Sequence, residues 1–262
     1  MGWPLCFSGC STLTDPLRIV PMRAVAVIPA RMGSKRFPGK VLASLGDEPL
    51  VVNVWRRLQS AGALDAVYVA TGDQCIADVV SAAGGDVLLT KGVHRCGTDR
   101  VAEAIDGIEA DIVVNVQADC AQLDAAVVDQ VVAAIKAQGH EVVTPVTTLT
   151  DSALAASPDC VKAVVDETGR GIYFSRSAVP HSGPWLKHVG IYGFRRQTLA
   201  KFAALGPSRL ELAEDLEQLR LIDNGIPIHT FLTVAAGISV DSPRDLRRLH
   251  SHHSFETRGT HA

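Results

Sequence analysis

Short apolar runs alternate with amphipathic segments through the first half of the 262-residue chain. The apolar runs are bounded by polar residues or glycine, and they predict buried strands at 24–29, 66–71, 86–89, 112–117 and 141–147. Between them, apolar residues recur at helical spacing and predict helices at 49–62, 74–84, 98–107 and 124–137. This alternation predicts an α/β protein with a mostly parallel sheet and helices on both faces.

The second half of the chain has a different pattern. Strand-like runs follow one another closely at 161–166, 171–175, 187–194 and 228–232. Gly169 lies in a turn between the first two, so residues 161–175 predict a hairpin and an antiparallel lobe. A helix is predicted at 209–224. The last helix is predicted to begin near Asp241 or Ser242, which can cap a helix with Pro243 at its first position.

Composition limits the class of protein. A chain with 47% hydrophobic and 20% charged residues suits one globular domain with an ample core. The net charge of −3 argues against a protein that binds nucleic acid. The six cysteines lack CxxC spacing, which favours reduced thiols in a cytoplasm over disulfides or a zinc site. No apolar run approaches the ~18 residues of a transmembrane helix, so no membrane partner is predicted.

Both ends of the chain are assigned outside the predicted domain. Residues 1–22 precede the first strand and are expected to form a disordered or loosely attached extension. Residues 250–262 are polar and contain several histidines, which is typical of a solvated tail. Residues 23–249 are expected to fold as one domain.

A basic loop directly after the first strand is the most informative segment. The apolar run ends at Pro29, and four cations and two glycines follow: Arg31, Gly33, Lys35, Arg36, Gly39 and Lys40. Glycine lets backbone N–H groups approach a ligand and the cations neutralise it, so the loop is typical of a polyphosphate-binding site. It is not a Walker loop, because five residues separate its glycines and Val41 follows the lysine. A solvated basic turn is the alternative.

This loop and later motifs resemble the CMP-KDO synthetases (3-deoxy-manno-octulosonate cytidylyltransferases), which are nucleotidyltransferases that activate sugars. The resemblance covers about residues 23–249, and its opening motif is Ile28-Pro-Ala-Arg31, Ser34, Arg36 and Pro38-Gly-Lys40. Further motifs follow in order: Val69-Ala-Thr71; His94, Gly97-Thr98 and Arg100; Val114-Asn-Val-Gln117 and Asp119; Val161-Lys162; Tyr173-Phe-Ser-Arg176; His188-Val-Gly-Ile-Tyr-Gly193; Leu216-Glu-Gln-Leu-Arg220; and Val240-Asp241. The resemblance implies a Rossmann-like three-layer nucleotidyltransferase fold.

Two aspartates are candidates for holding Mg²⁺. Asp119 follows the strand at 112–117, and ligands bind outside the carboxyl ends of strands in open α/β sheets. Asp241 lies at a second junction between a strand and a helix. The resemblance implies that these two aspartates share a catalytic magnesium, which prefers oxygen ligands. Read from the residues alone, Asp241 could equally cap a helix and Asp119 could be a turn residue.

The resemblance implies nucleotidyl transfer from CTP, with attack of a sugar hydroxyl on the α-phosphate and release of pyrophosphate. Arg31 and Lys40 are then catalytic with the two aspartates, because charge accumulates on the phosphates. The predicted nucleotide-binding residues are Ala30, Arg31, Ser34, Arg36, Lys40, Thr71, Gly97 and Thr98. CTP is expected to be preferred over UTP and ATP. A pyrimidine fits a slot formed by the first loop, the Ala70-Thr71 strand end and the Cys96-Gly97-Thr98 turn, where backbone groups can read the base edge.

The resemblance also implies an acid-sugar pocket. Its predicted members are Arg100, Gln117, His188, Tyr192, Glu217 and Gln218. Arg100 can bind a carboxylate with two hydrogen bonds, while Glu217 and Gln218 can bond to sugar hydroxyls. Read alone, Glu217-Gln218 would be a solvated helix face and His188 a satisfied strand residue.

Several positions depart from the family pattern. The family usually has Gln-Gly-Asp-Glu-Pro where this chain has Gln117-Ala-Asp-Cys-Ala121, and Cys96 stands in place of serine. The loop 181–185 is short and lacks an acid and an arginine. These changes leave open another acidic acceptor, such as an amino-octulosonate, a nonulosonate or a phosphonate. A catalytically silent nucleotide-binding protein is a second alternative.

A homodimer is expected from the resemblance. Residues 160–200 would form the lobe that pairs across a two-fold axis, the commonest oligomer symmetry. Trp185, Val189, Ile191 and Phe194 are expected to supply its apolar surface.

Overall fold

A computed structural model of the chain describes residues 22–34, 36–234, 237–240 and 242–256. Residues 1–21 of the predicted extension and residues 257–262 of the predicted tail therefore lie outside the described residues, as does Asp241. The last helix continues to Glu256, beyond the expected domain boundary at residue 249.

Strands and helices alternate first and strands then cluster, as the sequence predicts. The strands are β1 (Ala24–Ala30), β2 (Ser44–Leu45), β3 (Glu48–Pro49), β4 (Ala66–Thr71), β5 (Asp86–Leu89), β6 (Ile112–Val116), β7 (Val142–Leu149), β8 (Lys162–Val165), β9 (Gly171–Ser175), β10 (Trp185–His188), β11 (Ile191–Arg195) and β12 (His229–Leu232). The helices are α1 (Leu50–Leu58), α2 (Gln74–Ala82), α3 (Gly97–Ala104), α4 (Ala125–Gln138), α5 (Ser152–Ala156), α6 (Arg196–Ala204), α7 (Arg209–Glu214), α8 (Leu219–Asp223) and α9 (Pro243–Glu256), with a 3₁₀ turn at Lys40–Leu42.

One sheet contains both the parallel and the antiparallel strands. Its order is β5-β4-β1-β6-β11-β7-β10-β8-β9, and β12 pairs with β7 off this path. Strands β5, β4, β1 and β6 are parallel neighbours, whereas every pair from β6 to β9 along that path is antiparallel. The predicted α/β fold is confirmed, and the antiparallel lobe continues the parallel sheet.

The core has a layer on each face of the sheet. Alternate side chains of β1 point to opposite faces, so Ala26 and Ile28 pack with α1, α2 and α4 while Val25 and Val27 pack with α3, α6 and α8. Helix α4 lies very close to β11. A Cβ atom added at Gly193 would be 2.4 Å from Cγ1 of Val131, so only glycine fits there.

Two predicted elements are each divided in the structure. The run 187–194 is broken at Val189 and Gly190 into β10 and β11. Both strands pair with β7, but β10 also pairs with β8 whereas β11 also pairs with β6. The predicted helix at 209–224 is broken at Asp215, which has a left-handed backbone with φ of 53°. Helix α6 was not predicted, because only Leu199 and Phe202 form its apolar stripe.

Four residues were predicted to supply the apolar surface of a dimer, and this prediction is wrong for three of them. Val189, Ile191 and Phe194 are buried in the core of their own chain and supply no exposed apolar surface. Among the described helices, none is both long and apolar enough to cross a membrane.

Candidate active site

A cavity of about 590 Å³ opens at the carboxyl ends of β1 and β6, and is called the main cleft here. It is lined by Pro29, Arg31, Ser34, Arg36, Lys40, Val41, Arg95, Gln117, Ala118, Asp119, Pro158, Asp159, Arg176 and Asp215. Eight of the lining residues carry charged side chains: five are Lys or Arg and three are Asp. The cleft is therefore suited to an anionic ligand.

The basic loop is folded back on itself beside this cleft. The backbone N–H groups of Ser34 and Gly39 both donate to the carbonyl oxygen of Met32, at 2.9 Å. Gly39 has φ of 72°, a left-handed conformation that glycine adopts without strain and that turns the chain towards Lys40. The loop is tied to the next strand because the Met32 N–H donates to Asp73 Oδ2 at 2.9 Å.

Lys40 and Asp119 form the central ion pair of the cleft. Lys40 Nζ lies 2.6 Å from Asp119 Oδ2, and the two side chains are 13% and 22% exposed. The same ammonium group donates to the carbonyl oxygen of Val240 at 3.2 Å. The Val240 N–H donates to the carbonyl oxygen of Asp119 at 2.9 Å. The segment that precedes Asp241 is thus held beside Asp119 and Lys40.

Arg176 lies in the main cleft although no site role was predicted for it from the sequence. Its guanidinium donates to three backbone carbonyl oxygens, those of Pro158 (3.0 Å), Glu214 (3.0 Å) and Asp215 (3.1 Å). Buried Lys162 donates to the backbone carbonyl of Arg176 from behind. The motif that contains Arg176 was recognised, but only the fold brings it opposite the basic loop.

A second cation of the loop is paired at the cleft surface. Arg36 forms an ion pair with Asp159, and both side chains are largely exposed to solvent. Because exposed ion pairs contribute about 0–1 kcal/mol, an incoming anion can compete with Asp159 for this guanidinium.

A smaller pocket of about 90 Å³ adjoins the main cleft and is called the small pocket here. It is lined by Pro29, Ala30, Arg31, His94, Cys96, Gly97, Arg100 and Gln117, of which Pro29, Arg31 and Gln117 also line the main cleft. Arg100 is anchored there by a hydrogen bond to Thr90 Oγ1. Partial burial lowers the pKa of Arg100, and nearby Arg31 lowers it further while Asp73 opposes the change.

A hydrogen-bonded network holds the first turn of α3 beside the small pocket. Both carboxylate oxygens of Glu217 accept from Thr98, one from its N–H at 3.2 Å and one from its hydroxyl at 2.9 Å. Asn115 Nδ2 donates to the same hydroxyl at 2.8 Å. Cys96 caps the helix, since its Sγ accepts from the Asp99 N–H at 3.4 Å. Burial, and then Glu217, raise the pKa of the Cys96 thiol, so it stays protonated.

Arg220 supports this turn from inside the protein. Its guanidinium is nearly inaccessible and lies 2.7 Å from both Asp99 and Glu211. It also lies 4.1 Å from the ring centre of Phe202. Hydrogen bonds to these carboxylates raise the pKa of Arg220, although its burial acts in the opposite direction. The helix that carries Gly97 and Thr98 is therefore fixed by buried charge on the α7–α8 side.

Three predicted acceptor-binding residues are buried. His188 Nε2 lies 2.9 Å from the Thr144 hydroxyl, and its ring packs edge-on against Phe174. Burial raises the pKa of the neighbouring Tyr192. Gln218 is also buried, and its Nε2 has no hydrogen-bond partner within the part of the chain that the structure describes.

His188 makes the stability of the fold sensitive to acid. Burial, with a smaller contribution from Lys187, lowers the pKa of His188 from 6.5 to about 3. As pH decreases, His188 therefore binds a proton near pH 6.5 in the unfolded chain but only at about pH 3 in the folded chain. The free energy of unfolding should fall by about 1.4 kcal/mol per pH unit across this window as pH decreases, and be unaffected by this group above it.

Urea unfolding at a series of pH values measures this effect in the native protein and in His188→Gln. The variant cannot titrate, so its stability should decline less steeply between pH 6 and pH 4. Identical slopes would assign the acid sensitivity to carboxylates instead.

The structure brings many of the predicted site residues together. Those lining the main cleft are Arg31, Ser34, Arg36, Lys40, Gln117 and Asp119. The small pocket adds Ala30, Gly97 and Arg100, so Arg100 lies with predicted nucleotide-binding residues. Thr71 and Thr98 are buried, and the Thr71 hydroxyl accepts from the Asp73 N–H at 3.1 Å. No group of three His, Cys, Asp or Glu side chains forms a metal site within the described ranges, which exclude Asp241.

Comparison with known proteins gives consistent results. A family model described as cytidylyltransferase matches residues 25–228. The chain is 40% identical over 248 residues to a 3-deoxy-manno-octulosonate cytidylyltransferase of Geobacter metallireducens, covering 87% of this chain and 96% of the relative. It is 42% identical over 234 residues to the enzyme of that name from Myxococcus xanthus, covering 87% and 95%.

Solved structures agree with these relatives. A CMP:2-keto-3-deoxy-manno-octonic acid synthetase complexed with CTP matches with a TM-score of 0.84 and 38% identity, over 89% of this chain and 99% of that one. A cytidylyltransferase from Leptospira borgpetersenii matches with a TM-score of 0.63 and 20% identity, over 89% and 87%, and supports the fold alone.

Proposed function

The chain belongs to the cytidylyltransferase family, and we propose that it transfers CMP from CTP to the anomeric hydroxyl of 3-deoxy-manno-octulosonate. The observation that carries this proposal is the Lys40–Asp119 pair in a cleft lined by further cations. In the reaction, the hydroxyl oxygen bonds to the α-phosphorus while the bond to the bridging oxygen breaks. Pyrophosphate leaves with that oxygen, and the hydroxyl proton is lost.

The nucleotide occupies both cavities in this proposal. Lys40, Arg31 and Arg36 bind the triphosphate in the main cleft, with Ser34 beside them. The base enters the small pocket, which communicates with the main cleft through Arg31 and Gln117. Charge builds up on the phosphates during transfer, so cations fixed beforehand stabilise the transition state without reorganising.

Asp119 and Asp241 are proposed to hold Mg²⁺. The Asp119 carboxylate fits this group, because it is a partly hydrated oxygen donor at the mouth of a phosphate-binding cleft. A bound Mg²⁺ neutralises phosphate charge and orients the reacting oxygens. Lys40 orients the Asp119 carboxylate through their 2.6 Å contact.

The acidic acceptor is proposed to lie between Arg176 and Gln117 in the main cleft. Arg176 is fixed by three carbonyl groups, so its guanidinium need not be reordered when a carboxylate approaches. The unpartnered Nε2 of Gln218 is a buried donor, which costs about 1–3 kcal/mol unless a ligand pairs with it. His188, Tyr192 and Glu217 keep this region rigid.

A pyrophosphate-release assay with CTP, Mg²⁺ and 3-deoxy-manno-octulosonate tests the proposal. We expect turnover that depends on both substrates. The departures at Ala118, Cys120 and Ala121 favour testing an amino-octulosonate, a nonulosonate and a phosphonate beside it, since Ala118 lines the cleft. Calorimetric binding of CTP without turnover on any acceptor would instead show a silent nucleotide-binding protein.

We also propose that the protein is a cytoplasmic homodimer. The described cysteines Cys75, Cys96, Cys120 and Cys160 are free thiols, which suits a reducing compartment. Strand β9 ends the path of the sheet and exposes Ile172, so the 160–200 lobe presents an edge to a second copy. A monomeric mass by light scattering at micromolar concentration would contradict the dimer.

A further inference from the structure

We infer that His94 selects the base of the nucleotide, by accepting a hydrogen bond at Nδ1 from the exocyclic amine of cytosine. This inference rests on the proposed function, because it takes the small pocket as the site of the base. It assigns selection of the base to a residue that lies outside the basic loop and is not one of the proposed metal-binding carboxylates.

His94 is held with one nitrogen bonded and one unused. Its side chain is 7% exposed, and its Nε2 lies 2.6 Å from Glu103 Oε2. Its Nδ1 is buried and has no hydrogen-bond partner among the residues that the structure describes. A buried polar atom without a partner is rare in native proteins, and here it belongs to a residue that lines the small pocket.

Glu103 determines which nitrogen of His94 carries the proton. Its carboxylate accepts from the backbone N–H groups of Lys91 at 2.6 Å and Gly92 at 3.1 Å. The Lys91 hydrogen bond lowers the pKa of Glu103, burial partly opposes this, and the contact with His94 lowers it further. The ionised carboxylate can only accept. When the imidazole is neutral, its Nε2 therefore carries the hydrogen and Nδ1 is left as an acceptor.

The other polar groups of the small pocket complement the rest of a cytosine edge. Arg100 and Arg31 are always donors, whereas Nδ1 of His94 is an acceptor. Cytosine presents one amine donor beside ring acceptors, which matches this arrangement. Uracil has an oxygen in place of the amine and an N–H at the next ring position. Its oxygen would face the acceptor Nδ1 of His94, and its N–H would face an arginine donor. The volume of about 90 Å³ suits one ring better than a fused pair.

Cys96 is not available for this role. Its sulfur accepts from the Asp99 N–H and lies 3.8 Å from Arg220 Nη2, so it is used in holding α3. The departure from serine at this position therefore affects the helix cap, and the base is read by the histidine two residues earlier.

The test compares CTP with UTP in His94→Gln. Glutamine can still reach Glu103 but places no acceptor where Nδ1 lies. The ratio of kcat/KM for CTP over UTP is expected to be about 10²–10⁴ in the native protein and to fall to within about tenfold in the variant. His140→Gln is the matched control, because His140 lies at the surface stacked on His229 and should leave the ratio unchanged.

Glu103→Gln tests the proton position separately. The amide can donate to Nε2, which permits the tautomer with hydrogen on Nδ1, so the CTP over UTP ratio should fall although His94 remains. A role for His94 in packing alone would lower kcat/KM for both nucleotides together and leave the ratio intact in both variants. That outcome would overturn the inference.

Calorimetric binding of CMP and UMP separates this inference from the proposed reaction. If no acceptor supports turnover, the proposed function fails. A CMP preference that disappears in His94→Gln would still establish His94 as the base-reading residue. Equal binding of CMP and UMP by the native protein would refute it whatever the reaction.

Discussion

Replacing Asp119 with Asn should lower kcat by about 10³-fold or more while the protein stays folded. Asn keeps the size of the side chain and can still accept from Lys40, but it loses the charge that a metal ligand needs. A bound metal contributes several kcal/mol of transition-state stabilisation, and each 1.36 kcal/mol is tenfold in rate. Pyrophosphate release at saturating CTP, Mg²⁺ and acceptor measures the effect.

Asp124→Asn is the matched control for this experiment. Asp124 follows the same strand β6, and its carboxylate caps α4 by accepting from the Ala126 N–H at 2.9 Å. Asparagine is an equally good cap, so this variant should retain activity within about twofold and the same melting temperature. An Asp119→Asn variant that turns over within a few-fold of the native protein would remove Asp119 from the catalytic site.

The parallel half of the fold was predictable largely because its central strands β1 and β6 are buried on both faces. Such strands are continuous apolar runs, and they are separated by helices with a clear apolar stripe. The predicted strand at 66–71 has the same bounds in the structure as β4, and the one at 86–89 has those of β5. In the antiparallel half, the sequence run 187–194 hides the break between β10, which pairs with β8, and β11, which pairs with β6. No local pattern contains that information.

Some residues of the candidate site could likewise be predicted from the sequence, whereas others could not. Lys40 and Asp119 could be predicted, because Lys40 ends the basic loop that follows β1 and Asp119 lies just after β6. Arg176 could not, since its orientation depends on carbonyl groups about forty residues later in the chain, at Glu214 and Asp215. The unused nitrogen of His94 likewise becomes visible only when Glu103 is seen to occupy the other one.

Arg100 shows how the fold changes an interpretation drawn from residue type. A guanidinium can bind a sugar carboxylate or a nucleotide equally well. The structure places Arg100 with Ala30, Arg31 and Gly97 in the small pocket, which favours contact with the nucleotide. Arg176, which lines the main cleft, is then the guanidinium that we propose for the acceptor.

Lys40→Met should lower kcat/KM for CTP by about 10²–10³-fold, the usual cost of removing one fixed group that stabilises developing charge. The Lys40 ammonium is mostly buried and is held between Asp119 and the Val240 carbonyl, so it needs no reorganisation when phosphate charge develops. Methionine keeps most of the length of the side chain without its charge. Pyrophosphate release at limiting CTP measures the loss.

Arg36→Met provides the comparison, because it removes a cation from the same loop and the same cleft. Arg36 is about half exposed and already paired with Asp159, so its field is screened by water and by that carboxylate. Its removal should cost no more than about tenfold in kcat/KM. Equal losses in the two variants would mean that the loop acts only through its total charge, whereas a much larger loss for Lys40→Met identifies a single fixed contact with the reacting phosphate.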